Sequence, residues 1–348
     1  MLTRRLFMTA AATVTGIAVG TQTAAAATTI PGKRSLRRAG LSRPAPSASV
    51  KPTRYNTGVP QGWTPTRTIS KANSYYEVTQ AGAVFEDVLF ECCVRVSAAN
   101  VTFRRCRFVG NGLPNAYIAL LSFNPAGVRN ALVEDCTIAP TRPDPQWNGI
   151  TGHDFTARRV KIRNVVDVFE IYNTSNVSGP VNVLIEGCFG ADFMYVSSAT
   201  KPAGLSGWDG YTHNDWCQVQ GGSDITLRYN VMDSRAGNYA RDELHLLGAD
   251  RQVLSNMMIL PNLGLISGVA IHDNWCYGGK FAFNLNNKPN NQLSPGGRSV
   301  GHITNNKFGR GVDGAQTRVI SMPYDAVVTT DGNVYEDDGS PVRVYHNG

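Results

Sequence analysis

The chain has 348 residues, with 33 Lys and Arg against 26 Asp and Glu, 42% hydrophobic and 17% charged residues, and 35 glycines. This profile suits a β-rich domain and excludes a disordered chain or a helical array. The formal charge of +7 does not mark a nucleic-acid binder: residues 1–50 hold seven basic residues and no acid, leaving 26 of each sign in the remainder.

The chain starts "MLTRRLFMTAAATVTGIAVGTQTAAAATT", with Arg4-Arg5, Phe7, a short apolar run and a small-residue tract ending near Ala27. This pattern predicts a twin-arginine signal peptide over 1–27 and export of an already folded, extracellular protein. No other stretch is apolar enough to cross a bilayer, so stable membrane insertion is not expected. Residues 28–58, basic and rich in Pro and Ser, read as a disordered linker, and 59–348 as one folded domain, taken as monomeric.

From there one pattern recurs: apolar, any, apolar, two polar, then Cys or Asn. It reads "VLFECCVR" at 88, "VTFRRCRF" at 101, "ALVEDCTI" at 131, "FTARRVKI" at 155 and "VLIEGCFG" at 183. It continues as "ITLRYNVM" at 225, "VAIHDNWC" at 269 and "GHITNNKF" at 301. Each copy is a short alternating strand followed by a polar turn, without hairpin signals or helical spacing between copies. That combination predicts an all-β, right-handed parallel β-helix, a solenoid with one apolar core inside the tube. In this frame Cys93, Cys106, Cys136 and Cys188 share one repeat position, which Asn230, Asn274 and Asn306 take over further on. With Cys92, Cys217 and Cys276 the count is seven and no C-x-x-C pair occurs, which speaks against a zinc site or a disulfide framework. The expectation is a buried ladder of reduced thiols followed by hydrogen-bonded amides.

"YNTGVPQGW", "GAVFEDVLFECCVRVSAANVTFRRCRF", "HNDWCQVQGGSDITLRYN" and "GNVYEDDGSPV" together resemble the secreted parallel β-helix proteins of actinobacteria, within the broad pectate-lyase-like superfamily. The resemblance covers roughly residues 55–340. It implies a polysaccharide partner, while the superfamily spans lyases, hydrolases, esterases and non-catalytic proteins.

A second series of strands precedes the repeat copies: "DVFEIY" at 167, "DWCQVQ" at 215 and "DELHLL" at 242, with "NGIT" at 148 and "FAFN" at 281 fitting loosely. Strict alternation turns Phe169, Ile171, Cys217 and Val219 inward and Glu170, Tyr172, Trp216, Gln218, Gln220, Glu243 and His245 outward. Stacking then predicts a surface column Glu170–Gln218–His245–Asn284, with Arg241 and Lys280 beside it. By the same parity Asp167, Asp215 and Asp242 fall on the inward phase as turn caps, Asp215 being the one equally readable as a site residue because His213 and Asn214 adjoin it. Trp216, Tyr172, Trp208 and Tyr211 supply aromatic faces for sugar stacking, with Gln218, Gln220 and Asn214 as amides and 191–212 as a long loop forming one wall.

Three functions fit this equipment. The leading one is a lyase cleaving a uronate-containing polysaccharide by β-elimination, with Arg241 and Lys280 neutralising the carboxylate and His245 or Arg241 as base. No cofactor is demanded; Ca²⁺ on Glu170, Asp215 or Glu243 is the option that the resemblance to calcium-dependent members implies. The second is glycoside hydrolysis by Glu170 with Asp215 or Glu243. The third is a cell-surface carbohydrate binder without catalysis.

Overall fold

The structure is a computed structural model that describes residues 43–110, 118–194, 212–235, 253–279, 281–310 and 319–347. Parallel strands dominate it, and among the described residues the single helical element is a short 3-10 turn, Pro295–Gly297. The strands stack in three parallel ladders, so the chain is a parallel β-helix solenoid. Ladder I starts at Val84–Glu86 and Thr102–Arg104 and ends at Val327–Asp331. Ladder II runs from Arg107–Phe108 to Val334–Tyr335, and ladder III from Ile118–Phe123 to Val344–Asn347. Arg67–Val78 and Val88–Val96 open the solenoid as long strands that serve ladders II and III together.

The repeat copies supply ladder I and the start of ladder II. In each coil the third residue of the repeat copy points inward: Phe103, Val133, Ile185 and Leu227 are all fully buried and share one column with Phe85 and Ile271. The bend between the two ladders is made by a single left-handed residue. Asp87, Arg105, Asp135, Arg159, Tyr229, Asp273 and Asn305 take φ of 52–58° there, and Gly187 and Gly332 take 64°. None of these is β-branched, as that conformation requires. The residue after the bend turns into the core, which explains the thiol-to-amide ladder. Cys136 Sγ accepts from Cys106 N at 3.3 Å, and Asn230 Oδ1 accepts from Cys188 N at 2.9 Å. The series continues through Asn274 and Asn306 to Asn333, each carboxamide accepting from the backbone and side chain of the coil before it. All seven cysteines are buried and none is in a disulfide.

Two sequence readings change here. "VLFECCVR" is out of phase with the other copies: the true first copy is "AVFEDVLF", because Phe85 pairs with Phe103. Val88 therefore holds the ladder position that Cys93 was expected to hold, and Cys93 sits on the long strand opposite Tyr75. Second, the compact unit begins at Pro44, not at residue 59. Residues 44–66 form a strap along the solenoid: Lys51 pairs with Glu336 at 2.6 Å, Gly58 N donates to Arg159 O at 2.8 Å, and Trp63 Nε1 donates to Asp87 Oδ1 at 3.2 Å. Packing of Pro46 against Gly187 adds an apolar contact that a side chain at 187 would block. On the outer face of ladder I, Glu86, Arg104, Glu134, Arg158, Glu186 and Arg228 alternate in sign on successive coils and bond their neighbours at 2.6–3.4 Å. Opposite charges on adjacent rungs favour this stacking.

Candidate functional site: a carboxyl cluster on ladder III

Ladder III carries the residues that the sequence singles out. Phe169–Ile171 pairs with Trp147–Gly152 on one side and Asn214–Val219 on the other, followed by Val253–Ile259, Phe281–Leu285 and Ile320–Pro323. Register places Thr151, Glu170, Gln218, Met258, Asn284 and Ser321 in one outward column. Glu170, Gln218 and Asn284 therefore align as their alternation predicts, but Glu170 and Asn284 are buried and only Gln218 is partly exposed, so the column is not the surface column expected. The rung after Gln218 is Met258, not His245: Asp215 pairs with Ser255, forty residues on, and not with Asp242. His245, Arg241, Asp242, Glu243, Lys280, Trp208 and Tyr211 lie outside the described residues.

Strict alternation fails at the corner where the chain enters ladder III. Val168 and Phe169 are both buried, as are Trp216 and Cys217, so two consecutive residues face the core. Trp216 was expected to stack on sugar, yet it is a core residue, 0% exposed, packed on Phe169 at 5.1 Å. Its indole fills space that Gly190 leaves empty: a Cβ there would lie 2.2 Å from Trp216 Nε1. Gly190 pairs with buried Ile162 and Met232, which confirms that this space is interior.

The same bend brings Asp167 and Asp215 to the polar side, against their inward assignment. Asn148, Asp167, Asp215 and Ser255 form a second column joined by capping bonds, so the capping role expected for Asp167 is real. Asn148 Oδ1 accepts from Asp167 N at 3.2 Å, and Asp167 Oδ1 accepts from Asp215 N at 2.8 Å. Asp215 in turn accepts from the hydroxyl and backbone N–H of Ser255. The columns are cross-linked as well: Gln218 Nε2 donates to Asp215 Oδ2 at 2.8 Å, Asn148 Nδ2 to Glu170 Oε2 at 3.2 Å, and Gln220 Nε2 to Glu170 Oε1. Asn148 and Ser255 were not singled out from the sequence. "NGIT" was seen as a strand but its Asn was not weighed, and "VLSNMMI" lacks the leading Asp that marked the series.

The remaining expected residues divide. Asn214 is buried and structural, its amide holding the carbonyls of Val166 and Met194 at 3.0 and 2.7 Å. Half-buried His213 adjoins Asp215 and its charge favours the ionised carboxylate. Tyr172, also half-buried, accepts from Asn124 Nδ2 at 2.7 Å. Asn284 Oδ1 accepts from Asn286 Nδ2 at 2.6 Å.

Electrostatics set the cluster apart. Burial is the largest influence on all three acids and pushes every one of them toward the protonated form. Glu170, 3% exposed, rises to about 7, its two amide donors opposing the shift and the Asp215 charge adding to it. Asp215 rises to about 6, held lower by bonds from Ser255 and Gln218 and by His213. Asp167 is raised well above the ordinary range by burial, then by the charges of Asp215 and Glu170. Near neutral pH the group thus combines a carboxylate at Asp215, a carboxyl at Glu170 that still carries a proton part of the time, and a third acid, Asp167, shifted toward its protonated form. Buried carboxyls raised toward neutral pH beside amide donors are part of the equipment of general acid and base catalysis. Among the described residues no group of three or more His, Cys, Asp or Glu is arranged to hold a metal ion.

Fold and site together define a parallel β-helix protein with a carboxyl–amide cluster set into one ladder. No family model matches the chain, and no curated protein or solved structure matches it.

Proposed function

We propose that the chain is a secreted polysaccharide-active protein of the pectate-lyase-like superfamily that opens a glycosidic bond with Glu170 as general acid and Asp215 as general base. One observation carries this reading: two carboxyls on adjacent coils, both raised by burial, to about 7 and about 6, and each bonded by side-chain amides. In the proposed step Glu170 protonates the leaving glycosidic oxygen. Asp215 takes a proton from the attacking water, whose oxygen bonds the anomeric carbon. Half-buried Gln218, bonded to Asp215 and paired with Glu170 in the ladder, is the partly exposed residue beside the pair. Export by the twin-arginine route belongs to the same proposal and rests on the Arg4-Arg5 segment. The β-elimination expected from the sequence depends on Arg241, Lys280 and His245, so the test must separate the two chemistries.

Purified protein is incubated with a panel of neutral and uronate-containing polysaccharides. New reducing ends without ultraviolet absorbance from an unsaturated product support hydrolysis. Appearance of that absorbance replaces the hydrolase by a lyase, and no product from any polymer leaves a binder. Glu170→Gln and Asp215→Asn are each expected to lower turnover by roughly a hundredfold or more, as loss of a positioned proton donor or acceptor does.

A further inference from the structure

Beyond the carboxyl cluster, ladder III continues as a ribbon of amides toward the last coils. Asn262 Nδ2 donates to Gln220 Oε1 at 3.4 Å, a long contact, and Gln220 bonds Glu170. Further along, Asn286 Nδ2 donates to Asn284 Oδ1 and Asn347 Nδ2 to Asn286 Oδ1 at 2.9 Å. Tyr324 stands directly after the strand Ile320–Pro323 of the same ladder and is 76% exposed. One face of its ring stacks on His346, with centroids 5.2 Å apart and planes 20° from parallel, leaving the rest of the ring to solvent. Asn287 and Asp325 border it, Asn287 Nδ2 donating to both Asp325 oxygens at 2.9 and 3.2 Å.

We propose that Tyr324, backed by His346 and bordered by Asn287 and Asp325, is a distal sugar-binding subsite for a glycan chain that also crosses the carboxyl cluster. The chemistry is that of sugar recognition: a flat aromatic face for the C–H surface of a pyranose, ringed by amide and carboxylate groups for its hydroxyls. His346 fixes the ring orientation in advance, so little side-chain freedom is lost on binding. Column register sets the reach. From Gln218 through Met258 and Asn284 to Ser321, on the strand that ends just before Tyr324, is three rungs, about 14 Å at the usual strand spacing. A polymer spans that distance, and a disaccharide at the carboxyl pair does not.

The subsite rests on the reading of ladder III as a glycan face, and the test separates the two claims. The full chain is run in affinity gels containing polygalacturonate, xylan or β-glucan, as wild type and as Glu170→Gln, Tyr324→Ala and Tyr324→Phe. At least one polymer is expected to retard wild type and Glu170→Gln alike. Tyr324→Ala should weaken that binding about tenfold, and Tyr324→Phe by less than twofold because the stacking surface remains. With a cleaved polymer, Tyr324→Ala should raise KM and leave turnover of a disaccharide substrate unchanged. Retarded wild type with no product would end the hydrolase and leave the subsite standing. Unchanged polymer binding by Tyr324→Ala, or no retardation of wild type by any of the three polymers, overturns the subsite.

Discussion

Replacing Glu170 by Gln should make the protein more stable at pH 8 and less stable at pH 4. Burial raises the Glu170 carboxyl to about 7 from a reference value of 4.5, so the folded state holds a proton that the unfolded chain releases between those values. For a raised carboxyl the sign is fixed: its stabilising contribution is complete below the unfolded value and is lost as pH rises through about 7. At about 1.4 kcal/mol per unit, the loss reaches about 3 kcal/mol by pH 8. The amide in Gln cannot ionise, so the variant is spared that loss. It gives up one of two accepted bonds, because Asn148 and Gln220 both donate to the carboxyl; a lost bond costs about 1 kcal/mol. The balance is a gain of about 2 kcal/mol at pH 8, a few degrees in Tm for a chain of this size. At pH 4, where wild type is protonated in both states, only the missing bond remains and the variant is weaker by about 1 kcal/mol. Thermal unfolding followed by circular dichroism across this pH range reads the crossing directly. A difference between the two proteins that is the same at pH 4 and pH 8 would refute the assignment of Glu170 as the buried proton carrier.

Trp216→Ala should cost about 3–5 kcal/mol, the usual range for emptying a buried tryptophan site, and should leave KM for polymer unchanged in the folded fraction. A stable variant with weakened polymer binding would return Trp216 to the surface role. At the amide ladder, Asn274→Leu should be far more damaging than Asn274→Cys. Leucine leaves the N–H groups of Asn230 without their acceptor, whereas a thiol fills the same position at Cys106, Cys136 and Cys188. Equal midpoints for the two variants in denaturant titration would contradict the ladder account.

The solenoid was legible because its repeat is written in side chains that the coil geometry demands: an inward apolar residue at the third position, then a residue able to adopt left-handed φ, then a small thiol or amide. Alternation over Phe169–Ile171 and Cys217–Val219 likewise placed Glu170 and Gln218 on one face. What it missed follows from where alternation ceases to apply. A period of two holds along a straight strand and breaks at a corner, so Trp216 read as outward although Trp216 and Cys217 both turn in, and Asp167 and Asp215 read as inward although they join Glu170. Met258 escaped notice because coil length varies with the loops. "DELHLL" carries the same Asp-first pattern as the true strands at 167 and 215, whereas Val253–Ile259 carries none of it. Cys93 was misplaced for a related reason, since "VLFECCVR" spells the repeat on a strand that belongs to other ladders.

The strap from Pro44 to Thr66 changes how a molecule of this architecture comes apart. In a plain solenoid each coil touches only its neighbours, so the ends can fray independently and folding can spread from any coil. Here the backbone near Gly58 and Trp63 is tied to early coils, while Lys51 is tied to Glu336 close to the other end. A segment made before any coil of the solenoid therefore finds its last partner only after nearly three hundred further residues have been made. Its closing adds contacts between segments far apart along the stack, which coils that touch only their neighbours lack.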